Sequence, residues 1–130
     1  MTASEALQWS IFEIGGERDH ERSVLVVSRE SANRALPIVT ALPLADHRKG
    51  RRIYPNEVLL PSASVGLSRD AVAMAHQTIT VSKKKLSKSL ATIEDPAIQN
   101  AIRLAMCIQL NLEDCRNAGS PVGEDRGTRR

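Results

Sequence analysis

The sequence predicts a mainly β domain that ends in a single α-helix, folded as a small antiparallel barrel or strongly bent sheet. Three observations predict it. Short runs rich in β-branched residues recur between polar loops marked by Gly and Pro. Only one stretch, after Pro96, carries apolar residues at sustained helical spacing. Finally, the chain has 130 residues, 42% of them apolar but only 2% aromatic, so one domain with a core of Val, Ile, Leu and Ala is expected.

The elements follow in order. Residues 1–7 are a lead-in, and the alternation in Trp9–Ile14 predicts a first strand. Gly15–Arg22 is too charged for a core and is expected to be a loop. Ser23–Ser28 is continuous and β-branched, as a strand buried on both faces would be. Leu36–Leu44 predicts the next strand, its prolines placed at a start, an edge or a bulge because they lack a ladder donor. Ala45–Pro55 is a basic loop, Glu57–Leu60 a short strand closed by Pro61, and Ala71–Val81 a longer strand whose Thr-Ile-Thr-Val end favours extended backbone. Ser82 is placed to cap a helical turn through Lys83–Leu90. Asp95 followed by Pro96 is an N-cap and first-turn pair. Beyond it Ile98, Ala101, Ile102, Ala105, Ile108 and Leu112 form an apolar stripe, with Met106 and Leu110 as surplus apolar surface. Residues 1–114 therefore read as one domain and 115–130, polar and rich in Gly and charge, as a disordered tail.

Composition also excludes function classes. The net charge of +3 permits a polyanionic partner without demanding one. One Trp, one Tyr and one Phe cannot build a multi-base stacking platform. Cys107 and Cys115 have no neighbours at metal spacing, so a reduced chain without a metal or cofactor is expected. No stretch approaches the ~20 apolar residues of a membrane helix, and no signal peptide is expected. The basic residues gather in two places, His47–Arg52 and Lys83–Lys88.

Several blocks, in one order, resemble the MazF/PemK toxin family. Glu17–Ser28 matches its Glu-started polar loop, then an Arg (here Arg22), then a Val/Leu strand. Asn33-Arg34 and Leu36-Pro37-Ile38-Val39 match the next block. Glu57–Pro61 and Gly66–Val72 match the middle, and Gln77–Leu86 resembles a Gln-x-x-Thr-x-x-Lys-x-x-Leu stretch. Ala101–Leu112 resembles the terminal helix.

The resemblance implies an SH3-like, CcdB-like barrel that forms a homodimer in the cytoplasm. It further implies cleavage of single-stranded RNA without a metal, and neutralisation by a cognate antitoxin. Cleavage by 2′-hydroxyl attack needs a base, an acid and a cation for the crowded phosphorane. Arg22 is the cation candidate, since its planar fork matches two phosphate oxygens. Glu17 and His20 are proton-transfer candidates in the same loop, and His20 titrates in the useful range. The family's hydroxyl position, counted from Leu36-Pro37, falls on Pro43. Thr40 is the nearest substitute, but it points to the other strand face unless a bulge shifts the register. A family Arg position is Ile79, and a His position is Gly16. Arg48, Lys49, Arg51 and Arg52 are RNA-binding candidates as a cationic loop, joined by Gln77 and Thr80. The alternative is a CcdB-like or weakened homologue that acts by binding a protein.

Overall fold

In a computed structural model of the chain, residues 6–15 and 22–112 are described. Seven strands and three helices follow in the order β1 (Ser10–Ile14), β2 (Ser23–Val26), α1 (Glu30–Ala35), β3 (Ile38–Asp46), β4 (Glu57–Leu60), α2 (Ser62–Val65), β5 (Ala71–Met74), β6 (Ile79–Ser82), β7 (Leu86–Thr92) and α3 (Pro96–Leu110). The ladders run β4-β5-β3-β2-β1-β7, all antiparallel, and β6 also pairs with β3. The expected fold class is therefore present, as a strongly bent sheet with β4 and β7 at its edges among the described residues.

The bend comes from β3. Its first half pairs with β6 through Ile38–Ala41, and its second half pairs with β5 through Leu44–Asp46. Pro43 falls in the gap between those two ladders while it stays opposite Val24 of β2. A proline is tolerated there because no ladder donor is required on the open side.

The expected long strand over 71–81 is broken, which corrects the sequence reading. A 3-10 turn at Ala75–Gln77 separates β5 from β6, closed by the Thr78 hydroxyl donating to the Ala75 carbonyl at 2.9 Å. The expected helical turn after Ser82 is also shorter. A 3-10 turn covers only Lys83–Lys85, with the Ser82 hydroxyl accepting from the Lys84 N–H, and the rest is strand β7. α1 and α2 were not foreseen.

The sheet buries both faces, which explains why β2 shows no alternation. Val24 and Val26 pack with Phe12, Val39 and Val81 on one side. Leu25 and Val27 pack with Ile11, Leu42, Leu60 and the helix residues Ile102 and Ala105 on the other. Each fully buried side chain of this size contributes about 1.5–3 kcal/mol. α3 begins as expected: Asp95 accepts from the Ala97 N–H at 2.9 Å and Pro96 occupies the first turn.

The predicted apolar stripe of α3 divides in two. Ile102 and Ala105 are buried, and Met106 packs against the core rather than forming surplus surface. Ala101, Leu104, Ile108 and Leu112 face outward. Trp9 packs on the same core with a positive φ of 73° and lies under the Arg103 guanidinium at 5.1 Å, tying α3 to β1. Cys107 was expected as a free thiol; it is disulfide-bonded.

Candidate nucleic-acid interface

Arg22 stands immediately before β2, exposed, and its carbonyl accepts from the Ile14 N–H at 3.2 Å. Glu17 and His20 lie outside the described residues. The register Val24↔Pro43, Leu25↔Leu42, Val26↔Ala41 has no shift. Continued by two residues it sets Arg22 opposite Ala45, and continued the other way it sets Val27 beside Thr40. Thr40 is therefore five residues along β3 from the Arg22 rung (45 − 40), at most about 17 Å away. It also stands on the opposite strand face, and the ladder over Ala41–Pro43 holds no shift that would turn it. The structure does not bring Thr40 and Arg22 together. It does pair Thr40 with Thr80 across β3 and β6. Neither Pro43 nor Ala45 offers a hydroxyl.

Gln77 sits in the 3-10 turn that spans the gap beside Pro43, exposed, with its amide nitrogen 3.2 Å from His76 Nε2. It is nearer to the Arg22 end of β3 than Thr40 is, since β5 ends and β6 begins on either side of that gap.

The cationic loop is more ordered in its bonding than a solubilising loop needs to be. Arg51 donates to both oxygens of Glu57 at 3.1 and 3.0 Å, and the Tyr54 N–H donates to the same carboxylate at 3.1 Å. The Glu57 side chain is only 4% exposed. The Arg51 hydrogen bonds hold the Glu57 carboxyl below the usual carboxylate range, against the opposing effect of burial, with the Tyr54 N–H adding to them. Arg51 is thereby committed to the fold. Arg52 lies over the exposed Tyr54 ring at 5.6 Å, and Arg48 and Lys49 are exposed.

Sequence reasoning missed a groove beside Arg22. Ser23, the next residue, lines it together with Glu13 of β1, Asp46 at the end of β3, and Ser68 and Arg69 of the loop before β5. Leu44, Leu67 and Leu90 supply its apolar walls. Glu13 pairs with Ser23 on one side and with Lys88 of β7 on the other, so the three share one sheet face. The loop is pinned: the Ser62 N–H donates to the Asp70 carboxylate at 2.8 Å, which pulls the Asp70 carboxyl down, and the His47 N–H donates to the Asp70 carbonyl at 3.1 Å. Gly66 turns it with φ of 88°, a conformation glycine adopts without strain. The only sequence signal was Gly66–Asp70, which belonged to a matching block but carried no chemical role. Glu57 stood in the matching block Glu57–Pro61 as the first residue of a short strand, but nothing local marked it as the buried partner of Arg51. Among the described residues no three His, Cys, Asp or Glu side chains are grouped to hold a metal.

The comparisons with known proteins agree with this fold. The family described as the PemK-like, MazF-like toxin of type II toxin–antitoxin systems matches residues 8–110. Endoribonuclease MazF9 of Mycobacterium tuberculosis is 26% identical over 84 residues, covering 61% of this chain and 70% of its own length. A solved endoribonuclease from mycobacterial species superposes with a TM-score of 0.67 at 26% identity, over 86% of this chain and 95% of the other. A mycobacterial endoribonuclease solved in complex with its cognate antitoxin gives 0.69 at 25% identity, over 83% and 97%. With the family matched over most of its length and its bent sheet and terminal helix shared with solved members, the chain belongs to the PemK-like, MazF-like toxins of type II toxin–antitoxin systems.

Proposed function

We propose that the protein is a metal-independent endoribonuclease that cuts single-stranded RNA with Arg22 at the scissile phosphate. The observation that carries this reading is the position of Arg22. It is an exposed residue at the start of a buried strand, tied back by the Ile14–Arg22 backbone bond and next in the chain to Ser23, which lines the groove. The relatives described as endoribonucleases support it.

In the reaction the ribose 2′-oxygen bonds to phosphorus as its proton passes to a base. The phosphorus–5′-oxygen bond breaks, and the leaving oxygen takes up a proton. The products are a 2′,3′-cyclic phosphate and a 5′-hydroxyl. Arg22 stabilises the added charge on the non-bridging oxygens. Glu17 and His20 are the proton-transfer candidates. Arg48, Lys49 and Arg52 hold the flanking phosphates, and Gln77 and Thr80 flank the path of the strand.

A homodimer fits the outward face of α3. Leu104, Ile108 and Leu112 are 40%, 39% and 48% exposed, and Tyr54 nearby is 51% exposed. Such a run of apolar surface favours a partner. Control by a cognate antitoxin is part of this reading, supported by a relative solved with its own antitoxin. Work in the cytoplasm, where mRNA lies, is part of the same proposal; among the described residues no helix is long and apolar enough to cross a membrane.

The test is a long mixed-sequence RNA incubated with purified protein in EDTA. Cleavage is expected, with a loss of ~100-fold or more for Arg22→Ala. An intact RNA after incubation with wild-type protein rejects the reading.

A further inference from the structure

We propose that the groove formed by Glu13, Ser23, Asp46, Ser68 and Arg69 is a base-recognition subsite that selects guanine in the RNA strand next to the scissile phosphate. The proposal rests on the ribonuclease reading for its substrate class.

Size sets the first limit. The groove has a volume of about 270 Å³, just below the ~300 Å³ at which pockets for whole small molecules begin. It suits a fragment such as one nucleobase. Its lining combines polar groups with the apolar side chains of Leu44, Leu67 and Leu90, so a flat ring with hydrogen-bonding edges meets both kinds of surface.

Charge sets the second. Two carboxylates, Glu13 and Asp46, border the space, so a phosphate is repelled from it while a neutral base is not. The cations available to the phosphates are Arg22, next in the chain to the lining residue Ser23, and Lys88, opposite Glu13 on β7. The chain of a bound RNA would therefore cross the groove with its backbone on the cations and one base turned inward.

Hydrogen bonding sets the third. Carboxylates only accept, so they favour bases that present donors. Uracil offers a single ring N–H between two carbonyls. Guanine presents N1–H and the 2-amino group side by side, which match one carboxylate, and O6 with N7 on its other edge, which match an arginine fork. The lining holds both partners, Glu13 or Asp46 for the first edge and Arg69 for the second.

Arg69 now contacts Asp46 at 3.6 Å, with side chains 77% and 59% exposed. An ion pair so exposed contributes little, so a base edge exchanges for it at small cost. The loop that carries Ser68 and Arg69 is held in advance at Gly66 and Asp70, which limits the ordering cost of binding.

Two measurements test this. The first sequences the cleavage sites in a random-sequence RNA. The second follows, by fluorescence anisotropy, 2′-O-methyl hexamers that carry G, inosine or U at one position. Wild-type protein is expected to favour G over U by ~10-fold or more at one fixed position. Inosine, which lacks the 2-amino group, should fall between them. Glu13→Gln, Asp46→Asn and Arg69→Ala, each checked for folding by thermal melting, should bring G and U towards parity.

A wild-type profile with no guanine position, or variants that keep the full preference, overturns the proposal. Guanine-selective binding without any cleavage would reject the nuclease reading and leave the groove standing. If the variants alter only the affinity for an antitoxin peptide, the groove belongs to that protein partner and the proposal fails.

Discussion

Arg51 and Glu57 form a two-pronged ion pair, with nitrogen–oxygen contacts of 3.1 and 3.0 Å, at the hinge between the cationic loop and β4. The pair also sits 4.0 Å from His76 Nδ1 through Glu57 Oε2. It converts one of the loop's cations into a fastening. Removing the charge should therefore act on stability first.

Glu57→Gln is expected to lower the unfolding free energy by about 1–3 kcal/mol, the range for leaving a charged partner poorly satisfied. Thermal or urea melting measures it. The partly exposed Arg51 places the effect toward the lower end. The pH dependence has a definite sign. The folded carboxyl titrates below its ordinary value of 4.5. Its stabilisation is then fully present above that value and is lost as pH falls through the lowered one. Glu30 adds to the same acid limb. Burial raises its carboxyl, but the Gln8 and Leu7 N–H donors outweigh that, and the net shift is downward. The acid limb should be shallower in Glu57→Gln than in the wild type.

The loop cations should separate by role. Arg48→Ala or Lys49→Ala is expected to weaken RNA binding evenly across sequences. Each should also reduce the slope of log affinity against log salt by about 0.7, the value per phosphate contact on a single strand. Arg51→Ala should lower the melting temperature and leave that slope nearly unchanged. Equal slopes for all three variants would show that the Glu57 contact does not remove Arg51 from the RNA surface.

Thr40→Val should leave RNA cleavage within about threefold of wild type, since a loss well below the ~100-fold of a missing transition-state donor marks a residue outside the reacting centre. Thr40 lies on the Thr80 rung, not on the Arg22 rung. Steady-state cleavage of a single-site oligonucleotide reads this directly. A loss as large as that of Arg22→Ala would mean that a second protomer brings Thr40 to the phosphate.

Leu104→Glu with Ile108→Glu should yield a monomer in sedimentation equilibrium. The melting temperature of the monomer should change little, because both side chains face outward from α3. Two buried like-charged pairs across an interface would cost several kcal/mol, enough to shift association by orders of magnitude. A double variant that still sediments as the wild type would place the contact elsewhere.

The sequence by itself determined whatever depends on near neighbours. The Asp95-Pro96 start of α3 was legible because a cap and a first-turn proline act within one turn. β2 was legible because a β-branched run buried on both faces needs no partner to be recognised. β4 was matched at both ends. Arg22 stood out only through the order of blocks around it.

Tertiary structure decided the rest. Whether Thr40 or Ala45 faces the Arg22 rung is a matter of register, which many long-range contacts set together and which no local pattern encodes. The 3-10 turn that splits 71–81 follows from β3 changing partners at Pro43, an event on another strand. Arg51 became a structural residue because the loop turns back to bring it onto Glu57, six residues on, and Glu13, Asp46 and Arg69 became groove neighbours only because segments more than 20 residues apart in the chain were folded side by side. Their identities were always in the sequence; their chemistry arises from proximity.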